Sequence, residues 1–453
     1  MLTAVALFTR DLRVTDNPVL VAAAEADRMV AVFVLDDGIL TGDYNRPNRA
    51  GFLAECLADL RAAVRTRGGE LVVRSGDTTD EVARLVDEVG AEVVHVAGDV
   101  SDYAQRREER LHRRLAAAGV GLRVHSDSLF VVPPGRITPA DRDHMAVFTP
   151  YFRRWEATAT RALARTPRRL TSARIAPGRL PSAHRIRTGK QSPDRAAGGE
   201  RAARRCLSAW LRGPIDAYAD RHDDLAGDAT SRLSPYLHFG CLSPHELRAR
   251  AEDHGGAGAD AFVRQLAWRD FHAQVLAARP GATAVDYRER GDRWRADADE
   301  FDAWRSGRTG VPIVDAAMRQ LGREGWMHNR ARMLVAHFLT KTLYHDWRSG
   351  AAHFLDLLVD GDIANNTMNW QWTAGTGTDT RPNRQYNLIR QARRHDPEGD
   401  FVRRYVPELA SIPGPQVHEP WRLPSDLRDG VDYPGPIVDL EAARERFRRG
   451  RGR

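Results

Sequence analysis

Short apolar runs alternate with helical patterns over the first third of the 453 residues, and this alternation most constrains the fold. The runs that predict buried strands lie at 4–8, 30–35, 71–74, 92–96 and 122–125. The patterns that predict helices lie between them, at 18–27, 49–67, 78–89 and 102–118. Such alternation predicts a doubly wound, Rossmann-like parallel sheet with helices on both faces.

Beyond residue 201 only the helical period remains, so we expect an α/β domain at 1–130, a connector at 131–200 and an all-α domain at 201–453. Within the connector, Thr166–Glu200 is rich in Pro, Gly, Ser and Arg, which predicts a charged, partly mobile linker. A basic DNA-binding segment is the alternative. Further helices are predicted at 148–165, 201–212, 243–253, 258–278, 311–324, 326–341 and 346–359.

Composition narrows the classes of function. Lys+Arg number 68 against 61 Asp+Glu, a net charge of +7, which permits binding to a polyanion. Three scattered cysteines argue against a disulfide framework or a zinc site and favour a reducing cytoplasm. No stretch is apolar enough to span a bilayer, and no charged leader precedes an apolar run. We expect a cytoplasmic monomer without metal or membrane partners.

Common catalytic and phosphate-binding signatures are missing from the sequence. The predicted sheet has neither GxGxxG nor GxxxxGK[ST], so its shape alone does not imply a bound dinucleotide. Neither HExxH nor Gly-x-Ser-x-Gly occurs. The sixteen histidines therefore give no metal or triad hypothesis.

The run from Asp360 to Trp372 is chemically the most unusual. Trp370 and Trp372, one residue apart, follow two carboxylates and several amides. A core helix would place apolar residues at i, i+3 and i+4, which this run does not. The composition suits a pocket for a planar, polar, aromatic ligand, and a buried Trp-rich loop is the alternative.

Three more segments offer polar or aromatic groups at helical spacing. Thr230–Pro235 has hydroxyls and backbone N–H groups before a proline, as at a phosphate-binding helix start or an ordinary N-cap. Gly325–Met333 and Gln265–Asp270 each place chemically useful residues on one helix face. Either could equally be an ordinary amphipathic helix.

Taken in order, the segments TSRLSP, WRDF, DAAMRQL, GWMHNRARM, DWRSG, DGDIANN and WQW resemble the motifs of the DNA photolyase/cryptochrome family. Phe8–Arg13 and Asp16–Pro18 extend the resemblance to the start, and bacterial class I cyclobutane pyrimidine dimer photolyases, actinobacterial ones in particular, are most similar. The resemblance implies light-dependent repair of these dimers in damaged DNA. Excited reduced FAD would pass an electron to a flipped-out dimer and recover it.

The resemblance also implies how FAD is held inside the helical domain. Asn366 would face flavin N5, and Asp360 and Asp362 the flavin and its sugar side. The residues implied to hold the phosphates and ribitol or to line the cavity are Tyr218, Thr230, Ser231, Arg232, Leu233, Ser234, Arg269, Asn329 and Arg332.

Electron supply and DNA contact are implied in the same way. Trp370 would lie beside the flavin, Trp347 next and Trp294 near the surface, as a three-tryptophan relay. The residues implied to meet the DNA are Gln265, Trp268, Asn329, Arg330, Met333, Trp372 and Gln391.

Departures from the family pattern keep alternatives open. Gln265 stands where many class I enzymes have Glu, and a Gln there also occurs in six-four photolyases and animal cryptochromes. Met333 argues against the six-four enzymes, which have a catalytic His at that place. The segment 387–397 is atypical, so DNA contact there is less secure. A cryptochrome-like photoreceptor, a six-four photolyase and a non-photochemical DNA-binding flavoprotein remain alternatives.

A second chromophore is expected in the N-terminal domain. The loop Gly98–Tyr103 lacks the glutamate usual for folate binding, and the Ala/Arg-rich composition suggests a source that makes deazaflavins. We therefore expect 8-hydroxy-5-deazaflavin near Phe33–Asp37 and Asp99. A methenyltetrahydrofolate, or no antenna, is the alternative.

Overall fold

The computed structural model describes residues 1–425 and 430–451. Its N-terminal part holds one five-stranded parallel sheet in the order β3-β2-β1-β4-β5. The strands are β1 (Thr3–Phe8), β2 (Arg28–Asp36), β3 (Leu71–Gly76), β4 (Val93–Ala97) and β5 (Gly121–His125). All five predicted strands and the doubly wound order are confirmed.

The position of each strand in the sheet explains how apolar the strand is. All six residues of β1 are buried, because β1 pairs with β2 on one side and β4 on the other. A parallel sheet covered on both faces needs continuous apolar strands rather than alternating ones. The edge strand β5 is more exposed and contains Arg123.

Five helices follow the first strands, and local caps fix several of their ends. Asn17 caps the first helix at Leu20 N, and Asp77 caps the fourth, which ends at left-handed Gly90. The helices are α1 (Pro18–Ala23), α2 (Asp37–Leu40), α3 (Pro47–Arg65), α4 (Thr78–Val89) and α5 (Asp102–Ala116).

The connector is more firmly packed than its composition predicts. Thr171 and Ala173 exchange backbone hydrogen bonds of 2.8 and 3.1 Å with Met29 at the start of β2. Val73 N of β3 donates to Pro177 O at 2.8 Å, and Arg61 donates to the Gly178 carbonyl. Part of Thr166–Glu200, predicted as a charged, partly mobile linker, is thus paired along the sheet, and its mobility stays a prediction.

The remaining helices are α6 (Phe148–Ala157), α7 (Ala183–Ile186), α8 (Glu200–Leu211), α9 (Tyr218–Arg221), α10 (Ser234–His238), α11 (Pro244–His254), α12 (Gly256–Ala278), α13 (Ala298–Arg305), α14 (Pro312–Glu324), α15 (Asn329–His337), α16 (Trp347–Leu357), α17 (Ile363–Ala374), α18 (Leu388–His395), α19 (Asp400–Tyr405) and α20 (Leu440–Arg451). A π turn at Phe338–Thr342 follows α15, and 3₁₀ turns lie at Pro280–Thr283, Pro407–Leu409, Gly414–His418 and Pro420–Arg422.

The chain divides into two compact units, each described below by itself. Unit 1 comprises residues 1–191, 196–216 and 231–280, and unit 2 comprises 192–195, 217–230 and 281–453. The helices α8 and α10 to α12 thus group with the sheet. The predicted boundaries at 130 and 200 lie where the sequence pattern changes, from alternating strands and helices to a connector and then to helices alone. As domain boundaries they stay a prediction. Among the described residues, no helix is long and apolar enough to cross a membrane.

Candidate functional site

The unusual Trp-containing run forms a helix, α17, rather than a loop. Asp362 caps it by accepting a 2.9 Å hydrogen bond from Asn365 N, and Gly375 ends it with φ +82°. Gln371 is buried but satisfied, because its amide donates to Ala282 O at 2.7 Å and accepts from Tyr287 N at 2.7 Å. Tertiary partners of this kind make a polar helix stable in the interior.

Asn366 and Trp370 lie one turn apart on α17, and both are buried. Trp370 packs against α16 at Gly350, where a side chain would overlap the indole. The Asn366 Nδ2 donates to Ala351 O at 3.0 Å. Since a backbone carbonyl only accepts, this bond fixes the amide orientation. The Oδ1 atom accepts no hydrogen bond from the described residues, so it is available to a protonated ring nitrogen such as that of a reduced flavin.

A buried ion pair lies in the same unit. Both Asp360 oxygens accept from Arg332 Nη2, at 3.0 and 2.8 Å, and Arg332 Nε donates to Met327 O at 2.8 Å. The Asp360 side chain is only 4% exposed. A carboxylate held by a guanidinium that is itself bonded to a backbone carbonyl is a rigid polar wall.

Thr230 supplies an unsatisfied hydroxyl. Its Oγ1 is buried and has no hydrogen-bond partner among the described residues. Tyr218, also in unit 2, is buried, and burial with the nearby Asp223 charge raises its pKa to about 12, so the phenol keeps its proton. Buried polar atoms normally have partners. A phosphate or ribityl oxygen would satisfy Thr230, and these donors fit FAD.

Unit 1 carries the other residues expected to bind cofactor or DNA. The Arg232 φ of +50° marks a tight turn before α10, which has only five residues. On α12, Gln265 is exposed, while Arg269 Nη1 donates to Leu129 O at 2.5 Å. Trp268 stacks on Phe148 with ring centroids 3.6 Å apart and planes 5° apart. Sequence patterns single out Phe148 only as the start of a predicted helix, because a contact between distant helices leaves no local pattern.

All three tryptophans of the expected relay lie in unit 2 and share one hydrophobic core. Trp370 and Trp347 are buried members, and Trp294 packs against this core while remaining partly exposed. Trp304, which no sequence pattern singled out, is also buried there and makes an edge contact with Trp370 at 6.1 Å between ring centroids. Two of the three indoles are thus buried and the third is partly exposed, an arrangement that would suit an inward electron path.

The unit 2 residues expected to meet DNA are accessible in differing degree. Asn329 is exposed, and Met333, one turn later on α15, and Trp372 are partly exposed. Arg330 is paired with Asp223; burial raises the pKa of that carboxyl, but the Arg330 bond and charge outweigh this and lower it. A small pocket is lined by Trp372 together with His337, Lys341, Thr373, Asp379, Arg384 and Tyr386.

Gln391 lies on α18, inside the atypical segment 387–397. Its Oε1 is 3.3 Å from His395 Nε2. Asn387 caps this helix by accepting from Arg390 N at 2.9 Å. The departure from the family pattern therefore forms a regular, capped helix with three basic residues in its last turn.

Comparisons with known proteins agree across the whole chain. Residues 4–169 match the DNA photolyase family, and residues 262–451 match the FAD binding domain of DNA photolyase. The chain is 58% identical to a deoxyribodipyrimidine photo-lyase of Streptomyces griseus, covering 100% of both chains. It is 38% identical to a cryptochrome DASH of Natronomonas pharaonis, covering 97% of this chain and 98% of that one.

A solved structure shares the fold. A bacterial class III photolyase from Agrobacterium tumefaciens superposes with a TM-score of 0.92 at 33% identity, covering 99% of this chain and 96% of that one. These matches extend over both units of the chain and include the motifs on α12, α15 and α17. The chain belongs to the DNA photolyase/cryptochrome family.

Proposed function

We propose that this chain repairs cyclobutane pyrimidine dimers in DNA by a light-driven electron transfer that leaves no net redox change. The observation that carries the proposal is the arrangement on α17. This single helix holds an oriented amide acceptor at Asn366, a buried electron donor at Trp370 and a partly exposed aromatic ring at Trp372. Asn366 suits the cofactor, Trp370 suits electron supply and Trp372 suits the substrate.

FAD is the cofactor, as the match to the FAD binding domain indicates. Reduced FAD, when bound, absorbs blue or near-UV light and supplies the electron that splits the dimer and then takes it back. We assign Asn366 Oδ1 to the flavin ring nitrogen N5 and the Asp360–Arg332 pair to the flavin edge. Thr230 and Tyr218 supply hydroxyl groups for the phosphates and ribitol.

The relay tryptophans prepare the enzyme rather than split the lesion. Trp294 at the surface, Trp347 and then Trp370 pass an electron inward when the cofactor arrives oxidised. Their burial in one core excludes water from the two inner indoles. Loss of the relay therefore affects loading and spares repair by an enzyme that has been reduced beforehand.

In the proposed DNA binding, uncharged polar and aromatic side chains contact the lesion, and arginines contact the phosphates. Photolyases take the damaged nucleotides out of the duplex, and a lesion that disturbs stacking lowers the cost of extrusion. The residues we propose for contact with the lesion and its surroundings are Gln265 and Trp268 in unit 1 and Asn329, Arg330, Met333, Trp372 and Gln391 in unit 2. Arginine contacts to phosphate make the affinity fall as salt rises.

The test is repair of an oligonucleotide with one defined thymine dimer, incubated with reduced protein in light and in darkness. Repair in light alone supports the proposal. A second oligonucleotide with a six-four photoproduct separates the substrates. Flavin photochemistry without repair of either would favour the photoreceptor alternative, and repair of the six-four lesion alone would favour that enzyme.

We further propose that 8-hydroxy-5-deazaflavin binds at the carboxyl end of the sheet in unit 1. The order β3-β2-β1-β4-β5 makes the ends of β1 and β4 the switch point, where open α/β sheets bind ligands. Arg10 and Asp99 form an ion pair there at 3.0 Å, and Asp36 accepts from Gly38 N at 2.9 Å and from Tyr103. Protein from a host without deazaflavin should gain energy transfer on adding it. Binding of folate alone, or of neither, would refute this assignment.

A further inference from the structure

Trp294, the outermost member of the proposed relay, is in contact with a tyrosine. Its ring centroid lies 5.1 Å from that of Tyr344, with the planes inclined by 53°. Tyr344 is only 6% exposed, whereas Trp294 is partly open to solvent. Tyr344 also makes an edge contact with Phe447 at 5.9 Å and adopts a φ of +63°. A bulky residue reaches this left-handed backbone only when its surroundings hold it, so the contact is well defined.

The Tyr344 hydroxyl has a fixed proton acceptor. It donates a 2.9 Å hydrogen bond to Asp292 Oδ1. Asp292 is 1% exposed and accepts from Arg451, at 2.7 Å from Nε to Oδ1 and also from Nη2. Arg451 Nη1 in turn donates to Ala374 O at 2.6 Å. Burial, then the bond to Asp292, raises the pKa of Tyr344 to about 12, so the phenol is protonated before any reaction.

The charge of Arg451 disfavours a positive charge on Trp294. Its guanidinium carbon lies 5.8 Å from the Trp294 ring centroid. A neutral indole attracts this cation, but an indole that has lost an electron repels it. Tyrosine avoids this penalty, because its oxidised form loses the hydroxyl proton and becomes a neutral radical. If electron transfer ends with oxidation of the Tyr344 phenol beside Asp292, the positive charge therefore leaves the Trp294 indole.

We propose that Tyr344 is the terminal electron donor of this chain's relay, with Asp292 as its proton acceptor; the step rests on the proposed function. Oxidised Trp294 takes one electron from Tyr344, and the Tyr344 O–H proton moves to Asp292 Oδ1. The products are neutral Trp294, a neutral Tyr344 phenoxyl radical and protonated Asp292. An external thiol-class reductant later returns one electron to Tyr344, and the proton returns from Asp292.

A purely structural role for Tyr344 makes a different prediction. If the hydroxyl only bonds Asp292, its loss would lower stability by about 1 kcal/mol, as for a typical hydrogen bond, and leave the radicals unchanged. Tyr344→Phe separates the two roles, because it keeps the ring contacts with Trp294 and Phe447 and removes only the proton and its donor oxygen.

The experiment uses the full chain carrying oxidised FAD, flashed without added reductant, with ring-deuterated tyrosine incorporated for electron paramagnetic resonance. The wild type should show a tryptophan radical that converts to a tyrosyl radical, more slowly in D₂O than in H₂O. In Tyr344→Phe the tyrosyl signal should vanish and the tryptophan radical should recombine, so that the yield of stable photoreduction falls several-fold. Tyr405→Phe, a buried tyrosine of the same unit that bonds Gln320, is the matched control and should behave as the wild type.

The outcomes distinguish this inference from the proposed function. A tryptophan radical without a tyrosyl radical in the wild type, or a tyrosyl signal that persists in Tyr344→Phe, would overturn the inference and leave the relay standing. The absence of any protein radical would overturn both the inference and the relay. Retention of FAD by each variant, measured by absorbance, shows that the fold is intact.

Discussion

The indole N–H of Trp347 donates a 2.9 Å hydrogen bond to Asp286 Oδ1. The same oxygen accepts from Arg348 Nη2 at 2.8 Å, and the Arg348 guanidinium carbon lies 4.7 Å from the Trp347 ring centroid. A carboxylate thus bonds both the indole and a neighbouring cation that would oppose any positive charge on the indole. Asp286 makes Trp347 a better electron donor than the cation alone would allow.

Replacing Asp286 by Asn should slow photoreduction of the oxidised enzyme by roughly tenfold, because a charge-assisted hydrogen bond contributes about 1.5–3 kcal/mol. The amide can still accept from the indole, so the packing stays. Flash absorption spectroscopy of the tryptophan radical measures the rate. Asp302→Asn, an exposed carboxylate of the same unit paired with Arg305, is the control. Equal rates in all three proteins would contradict the role of Asp286.

Trp370→Phe should abolish photoreduction of oxidised flavin while repair by chemically reduced enzyme survives. In the proposed function the relay loads the cofactor, and the splitting step does not use it. Trp304→Phe is the matched control, since Trp304 is equally buried and contacts Trp370 without belonging to the relay. Photoreduction at the normal rate in Trp370→Phe, Trp347→Phe and Trp294→Phe would refute the relay. Both illuminated spectra and dimer repair are measured for each variant.

The sequence predicts the sheet well and the site less well, for physical reasons. A strand buried on both faces, such as β1, must be apolar along its whole length, so its own residues reveal it. Helix α17 escapes prediction because Asn366 and Gln371 depend on partners at Ala351, Ala282 and Tyr287. The neighbours of α17 are distant in sequence, and no periodicity encodes them.

The same limit applies to the electrostatic surroundings of the relay. The order and spacing of the family motifs point to the three tryptophans. Asp286 and Arg451 carry no local signature, yet each lies against a relay indole. A charge placed by tertiary structure can only be found once the fold brings it to the ring.

Gln265 should take over part of the role of the glutamate that many class I enzymes have at this position. It is exposed on α12 and can donate a hydrogen bond to a lesion carbonyl without supplying a proton. Gln265→Glu should therefore keep or raise the rate of thymine-dimer repair, and Gln265→Ala should lower it. Repair is measured on one defined oligonucleotide under limiting light. A wild type that repairs six-four lesions but no dimers would overturn the choice of substrate.

Asp270 should make the protein less stable as the pH rises from about 4 to about 6. The carboxyl is fully buried, accepts from Trp155 Nε1 at 3.0 Å and Val132 N at 2.9 Å, and burial raises its pKa to about 6 despite Arg269. Between the unfolded pKa near 3.8 and the folded value, the folded state binds more protons. The stability from protonated Asp270 is therefore present below this window and lost across it.

Asp270→Asn removes this titration while keeping an acceptor for Trp155. The variant should gain thermal stability relative to the wild type between about pH 4.5 and pH 7, by about 2 kcal/mol, because roughly 1.5 units of the shift lie above pH 4.5. Thermal unfolding of both proteins at the two pH values measures the gain. Asp260→Asn, exposed on the same helix, should show none. A constant difference between wild type and Asp270→Asn would contradict the raised pKa.

Asn366 should set which reduced form of the flavin persists after illumination. The bond from Nδ2 to Ala351 O holds Oδ1 as an acceptor, which stabilises a protonated flavin nitrogen. In Asn366→Asp the ionised side chain cannot donate to Ala351, so the carboxyl must turn or take up a proton, and the acceptor is displaced. The spectrum recorded during photoreduction should then change. Asn369→Asp, exposed on the same helix and bonded to the Asn365 carbonyl, should leave it unaltered. An identical spectrum for Asn366→Asp and the wild type would show that this amide does not meet the flavin.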